Sequence, residues 1–370
     1  MNKIKIFNDD LLHQLLPILK NKDDNINLAS NEYINRIFSC HNTLDRTGSV
    51  NLPIQNYLPT LSLNVNEMTG DCNKVFEELC DKRANELLET KTPLRIFWSG
   101  GIDSTGMLIS FMKADSKWHE KIQIITTRAS ITKEYPLFYE THLKDKNILV
   151  KDICDVYSIF MANTDRYNLL GIHGSPFPRH TSDAWRKRIK IYSMLDDDGT
   201  MSFNTIKDKI TIDRGEINAL SLFFNKDAII DQFNQYKNKC PVEINNLLDL
   251  QWFIWLSRWG KAYNVCVTRG ENPNIFDTIK GFYDTEDFIN YALTYNGVLK
   301  AQKIKGPIKK IIYDYTNDED YYLNKEPLAS TSASGGASNP PQYFRLIDDA
   351  GNVFKSSETI PKDTIEKLLK

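Results

Sequence analysis

No apolar run in these 370 residues approaches the ~18 that a membrane span requires. The residues after Met1 carry an amphipathic pattern in place of the apolar stretch of a secretory signal. A membrane partner is therefore not expected, and a cytoplasmic protein fits the sequence. Cysteine is sparse: six residues, at positions 40, 72, 80, 154, 240 and 266, form no CxxC pair and no Cys/His group at zinc-finger spacing. This argues against a disulfide scaffold or a structural zinc site and leaves scattered reduced thiols. Charge of one sign is also lacking. A net charge of -2 and a pI near 6.3 give no overall footprint for nucleic acid, although a local basic patch could sit within a neutral total. The densest basic stretch, Arg179, Arg186, Lys187, Arg188 and Lys190, reads as a solvated helix face. There is no internal repeat.

With 41% hydrophobic and 25% charged residues, the composition is that of a globular protein, and the length allows one large domain or two of moderate size. Helical spacing of apolar residues recurs over Asp9 to Lys22 and over Asn73 to Leu88, so residues 1–90 are predicted to be a mostly helical N-terminal region. Asn51 to Val65, with Pro53 and Pro59, fits an irregular connection. From Pro93 onward, strand candidates at Leu94–Trp98, Ile122–Thr126, Ile148–Val150 and Asn168–Ile172 alternate with helical segments, the pattern of a parallel sheet with crossover helices. Ile217 to Tyr295, with Trp252, Trp255 and Trp259 on one face, reads as a helical half packed into a core. The expected domain therefore runs over 91–328. Residues 329–342 are small and polar and read as a linker. A tail module over 343–370 places Tyr343–Ile347 and Val353–Phe354 on either side of a turn at Asp348–Asn352, with a last helix opening at Pro361.

The chemistry is concentrated between Arg95 and Met112. An apolar strand runs into Ser99, Gly100, Gly101, Ile102, Asp103, Ser104 and Thr105, and an amphipathic helix follows through Met107, Leu108, Phe111 and Met112. Glycines let backbone approach an anion, and the N–H groups of a starting helix attract it. Ser99, Ser104 and Thr105 add hydroxyls, and no lysine follows the glycines as it would in a GxxxxGK[ST] loop.

This segment strongly resembles the SGGxDS loop of the N-type ATP pyrophosphatases, which include asparagine, GMP and NAD synthetases and tRNA-modifying enzymes. Further elements resemble the synthetase domain of asparagine synthetases: Gln251–Leu256, then Phe282–Phe288, then Lys305–Lys309. The resemblance spans roughly Leu79 to Lys325 and implies an α/β fold of the adenine nucleotide alpha hydrolase-like (HUP) PP-loop type with helical additions at both ends. It implies that ATP is cut to AMP and pyrophosphate, with Ser99 to Thr105 on the pyrophosphate and Asp103 on Mg²⁺. It places adenine near Ile125 and Thr126, and gives Lys305 the position of the catalytic lysine. A second phosphate loop is expected at Gly171, Gly174 and Ser175, where the acidic residue of the family is absent. The family's glutaminase is not expected within these residues either, so ammonia, an amine or a separate nitrogen-donor subunit is expected to supply nitrogen to a small carboxylate substrate. The small form suggests a stand-alone biosynthetic or phage-like accessory protein. Two alternatives stay open: a nucleobase- or tRNA-modifying enzyme, and a nucleotide-binding or assembly protein without turnover.

Overall fold

The computed structural model describes residues 5–6, 63, 65, 68–152, 156, 159, 165–171, 234, 236–244, 249, 252–253, 256, 278–301, 305–325, 345–347 and 353–355. The chain divides into two compact units. One comprises Asn66–Phe177 and Gly270–Pro341, the other Met1–Val65, Pro178–Arg269 and Gln342–Lys370.

The first unit is built on a five-stranded sheet of β2 (Leu94–Phe97), β3 (Ile122–Thr126), β4 (Ile148–Val150), β5 (Tyr167–Leu170) and β6 (Ile279–Gly281). Its spatial order is β4-β3-β2-β5-β6, and every neighbouring pair is parallel. All four residues of β2 are buried, as a central parallel strand covered on both faces requires. One of them, Arg95, lies opposite Gln123 in the register and donates from Nε to its Oε1 at 3.1 Å, which gives the buried guanidinium a partner. Leu94 starts the pairing with Ile122 on one side and with Tyr167 on the other. The four expected strands are thus present, the fourth one residue earlier than its apolar run suggests. β6 is a correction: it falls within the stretch that reads as a helical half. Three residues are too few to register against the longer helical periodicity around them, and their strand state depends on pairing with β5.

Helix α1 (Cys72–Leu88) buries Cys72, Phe76, Cys80, Ala84 and Leu87, a stripe at helical spacing. Asp71 caps it by accepting from Lys74 N at 3.0 Å. Helix α2 (Ile102–Ala114) follows β2 and is buried at every residue from Ser104 to Met112. α3 (Trp118–Lys121) leads into β3. Between β3 and β4, π-helical turns at Ser130–Glu134 and Tyr139–Leu143 flank the short α4 (Pro136–Phe138). After β6 come α5 (Glu286–Thr294), α6 (Asn296–Ala301), α7 (Gly306–Thr316) and α8 (Glu319–Asn324). α1, α2 and α7 pack pairwise on one another. Phe76, Phe111, Phe282, Tyr283, Phe288 and Tyr291 form an aromatic cluster in this core, with Phe76 stacked on Tyr283 at 5.9 Å.

In the second unit β7 (Arg345–Ile347) and β8 (Val353–Lys355) form the expected antiparallel pair, and β1 (Lys5–Ile6) adds to β7 through Lys5–Ile347 and Ile6–Leu346. Tyr236 and Phe253 are fully buried with rings edge to face at 6.3 Å, and Trp252 is also buried. The expected helix at Asp9–Lys22, Trp255, Trp259, the linker 329–342 and the helix after Pro361 lie outside the described residues. Among the described residues no helix is long and apolar enough to cross a membrane.

Candidate functional site

Strand β2 lies between β3 and β5, so the chain moves outward in one direction to β4 and then returns to the other side of β2. In open parallel sheets such a reversal leaves a crevice beyond the carboxyl ends of the strands, where ligands bind. The segment leaving the carboxyl end of β2 is Trp98 to Gly101, followed at once by α2.

Gly100 is in the left-handed region at φ +73°, and a Cβ there would meet Glu134 Cβ at 2.6 Å and Ser130 O at 2.9 Å. No other residue fits this position without displacing backbone. Ser99 and Ser104 close the loop internally: Ser99 N donates to Ser104 Oγ at 3.1 Å, the two hydroxyls are 3.0 Å apart, and Gly101 N donates to Ser99 Oγ at 3.3 Å. The first backbone bond of α2 runs from Thr105 N to Gly101 O, and no side chain caps the helix. The N–H groups of Ile102, Asp103 and Ser104 therefore face out of the helix end together with its positive dipole.

Asp103 stands in this first turn. Its Oδ2 accepts from Lys305 Nζ, while its Oδ1 is buried without a partner. Both side chains are largely buried, 14% and 18% exposed, so the pair is shielded from water. Lys305 is the residue before α7 and sits at φ +56°, one of two non-glycine residues with positive φ among those described. A non-glycine residue held in that region carries backbone strain, which here accompanies the contact of Lys305 with Asp103. Three further contacts bring α7, the segment after β6 and the end of β5 against the loop and α2. Gly106 lets Ile308 approach so closely that a Cβ would meet its Cγ2 at 2.4 Å. Tyr283 donates from its hydroxyl to Asp103 O at 2.9 Å. Gly171, at the end of β5, lies against the Asp103–Ser104 backbone, where a Cβ would come within 3.0 Å. Burial pushes the Tyr283 phenol well above its ordinary range, so it remains a neutral donor.

The sequence-selected residues thus separate by role. Ser99, Gly100, Gly101, Ile102, Asp103 and Lys305 meet at one place. Gly171 touches the first turn of α2 by backbone packing. Thr105 and Thr126 form the floor: Trp98 Nε1 donates to Thr105 Oγ1 at 3.1 Å, and Thr126 Oγ1 donates to Trp98 O at 2.8 Å. Ile125 is buried in β3, and its carbonyl accepts from Trp98 N at 2.9 Å. Gly174 and Ser175 lie outside the described residues. Sequence reasoning passed over Tyr283, Tyr321 and Lys325 as site residues; Glu134 it points to only as part of the segment after the second strand, where the family resemblance places substrate contacts. Tyr283 lies in the Phe282–Phe288 segment that the sequence singles out, but Tyr321 and Lys325 carry no local signal.

Magnesium binds through one or two carboxylates, with water and substrate phosphate filling the remaining positions. The unpartnered Asp103 Oδ1 could supply one such ligand at the start of α2, so the residues present are compatible with a cation carried in with phosphate. Among the described residues no group of three His, Cys, Asp or Glu could hold a metal by itself. No protein-family model matches the chain, and no curated protein matches it.

Proposed function

We propose that this protein is an ATP-dependent adenylating ligase of the PP-loop type, closest in design to the synthetase domain of asparagine synthetases. The observation that carries the reading is the convergence of Lys305 on Asp103 at the uncapped start of α2, where the sheet reverses its strand order. An anion is favoured there by backbone N–H groups and dipole, and a buried lysine and a carboxylate give that anion unequal ends.

In the proposed reaction a substrate carboxylate oxygen attacks the α-phosphorus of ATP. The bond from that phosphorus to the bridging oxygen breaks, and pyrophosphate departs with its electron pair. The N–H groups of Ile102, Asp103 and Ser104 receive pyrophosphate oxygens. Asp103 would hold magnesium, and the ion would supply positive charge against the phosphates. Lys305 donates toward the oxygens on which negative charge grows, first at the α-phosphorus and then at the acyl carbon. In the second step ammonia or an amine attacks the acyl-adenylate and AMP leaves, forming an amide.

The test is release of AMP and pyrophosphate from Mg²⁺ and ATP in the presence of amino-acid and other carboxylate pools with ammonia. Lys305→Met is expected to slow release by roughly 10²–10³-fold, the cost of removing one preorganised charge donor. Asp103→Ala is expected to abolish it. Release that persists unchanged in both variants, or ADP and phosphate as the products, would sink the reading.

A further inference from the structure

The mechanism leaves four groups around Gly100 unused: the buried Tyr321 and Tyr135, and the partly exposed Glu134 and Lys325. Tyr321 donates from its hydroxyl to Gly100 O at 3.3 Å. Its ring lies on that of Tyr135, centroids 3.9 Å apart and 19° from parallel. Lys325, one residue beyond α8, donates to Glu134 O at 3.0 Å and to Glu134 Oε2 at 2.7 Å. These two side chains are only 12% and 11% exposed. Glu134 is also the residue whose Cβ walls Gly100 at the distance given above. α8 is thus tied at both ends of one short stretch, to the loop carbonyl through Tyr321 and to the loop's wall through Lys325.

A peptide plane explains what this does. The C=O of Gly100 and the N–H of Gly101 belong to one trans peptide and point in opposite directions. Fixing the carbonyl fixes the direction of the amide. Glycine on either side makes this peptide free to turn over if nothing holds it, because neither residue has a Cβ to resist. A buried lysine-carboxylate pair adds little net stability, since desolvation offsets most of its attraction. Its worth here is geometric: it keeps residues 134–135 and α8 in register on the loop.

Resting on the nucleotide reading above, we propose that α8 is a brace for the phosphate loop. Tyr321 and the Lys325–Glu134 pair are positioning residues that hold the Gly100–Gly101 peptide with its N–H on Ser99 Oγ, the closed form of the loop that leaves the amides of Ile102, Asp103 and Ser104 open to phosphate. They touch no substrate themselves and act through Gly100.

Tyr321→Phe keeps the ring on Tyr135 and removes the hydroxyl's bonds to Gly100 O and to the Thr105 side chain, and Lys325→Met, which leaves that hydroxyl in place, separates the brace from the Thr105 contact. Two measurements are made on the full chain: affinity for magnesium pyrophosphate by calorimetry, and amide hydrogen exchange over residues 99–103 without ligand. Tyr321→Phe is expected to weaken pyrophosphate about tenfold, the span of one hydrogen bond in free energy, and to speed exchange in the loop. Adenosine affinity stays at the wild-type value. Lys325→Met is expected to do the same, and the exchanged pair Glu134→Lys with Lys325→Glu to recover part of the loss. Unchanged affinity and unchanged exchange in Tyr321→Phe overturn the brace. Where the wild type binds no pyrophosphate, it is the nucleotide reading that falls, and exchange in the loop alone judges the brace: equal rates in wild type and Tyr321→Phe refute it.

Discussion

Gly100 is the residue on which the site depends most, because conformation and space both demand the missing side chain. Gly100→Ala places a Cβ 2.6 Å from Glu134 Cβ at φ +73°. The left-handed conformation alone costs an alanine roughly 1–2 kcal/mol. We expect a lowered Tm together with loss of nucleotide binding, read by thermal unfolding and titration. A second residue-scale effect concerns pH. His142 is half-buried between Phe138 and Tyr315, with ring centroids at 4.9 and 5.3 Å, and burial lowers its pKa from 6.5. The unfolded chain therefore takes up the proton first, and His142 favours the fold above pH 6.5 and loses that contribution as pH falls through its depressed value. His142→Phe is expected to flatten stability against pH below that point, measured by denaturant titration at several pH values. Among residues, legibility followed sequence distance. Ser99 to Ser104 form one local word. Tyr321 reaches Gly100 across 221 positions and Lys325 reaches Glu134 across 191, and such pairs leave no periodicity or motif to read. Lys305 lies 202 positions from Asp103 and was found through a family resemblance, not through spacing.

At the scale of elements, the site is set by how closely α7 approaches α2. Gly106 is the contact point, because a Cβ there would overlap Ile308 Cγ2 at 2.4 Å and meet the Tyr283 hydroxyl at 3.2 Å. Gly106→Ala is expected to push α7 outward, costing about 1–3 kcal/mol through overpacking, and to draw Lys305 away from Asp103. Denaturant unfolding reads the first effect, and a larger fall in turnover than the remote Asp71→Ala produces reads the second. Asp71→Ala itself removes the cap of α1 and is expected to cost about 1 kcal/mol with activity retained. The strands of the sheet were legible because parallel strands buried on both faces appear as apolar runs between turns. β6 was not, since Ile279–Gly281 is short and becomes a strand only by pairing with β5. The π-helical turns around α4 escaped for a related reason: a π turn has no sequence periodicity of its own, and Tyr135 between them packs on Phe138 and on the distant Tyr321, which no local pattern records.

At the scale of the molecule, the two units have different origins along the chain. The sheet unit is interrupted by Pro178–Arg269, and the ends of the chain meet in the other unit, where β1 pairs with β7. The tail hairpin was readable from its turn residues, but its third strand was not, because β1 contributes two residues from the opposite end of the sequence. The loop, Asp103, Lys305 and α8 all belong to the sheet unit. Ligand at a hundredfold excess over its dissociation constant stabilises a fold by about 2.7 kcal/mol. Mg²⁺ with ATP is therefore expected to raise the melting temperature, and to slow hydrogen exchange in Asn66–Phe177 and Gly270–Pro341. Protection confined to the other unit would place the ligand elsewhere.

The most direct measurement is calorimetric titration of ATP with Mg²⁺ into the wild-type chain and into Gly100→Ala, with a thermal scan establishing that the variant is folded at the titration temperature. Saturable binding in the wild type that disappears in folded Gly100→Ala is the expected result. No binding to the wild type, or the same affinity in both proteins, would contradict the assignment of a phosphate-receiving loop to Ser99 through Thr105.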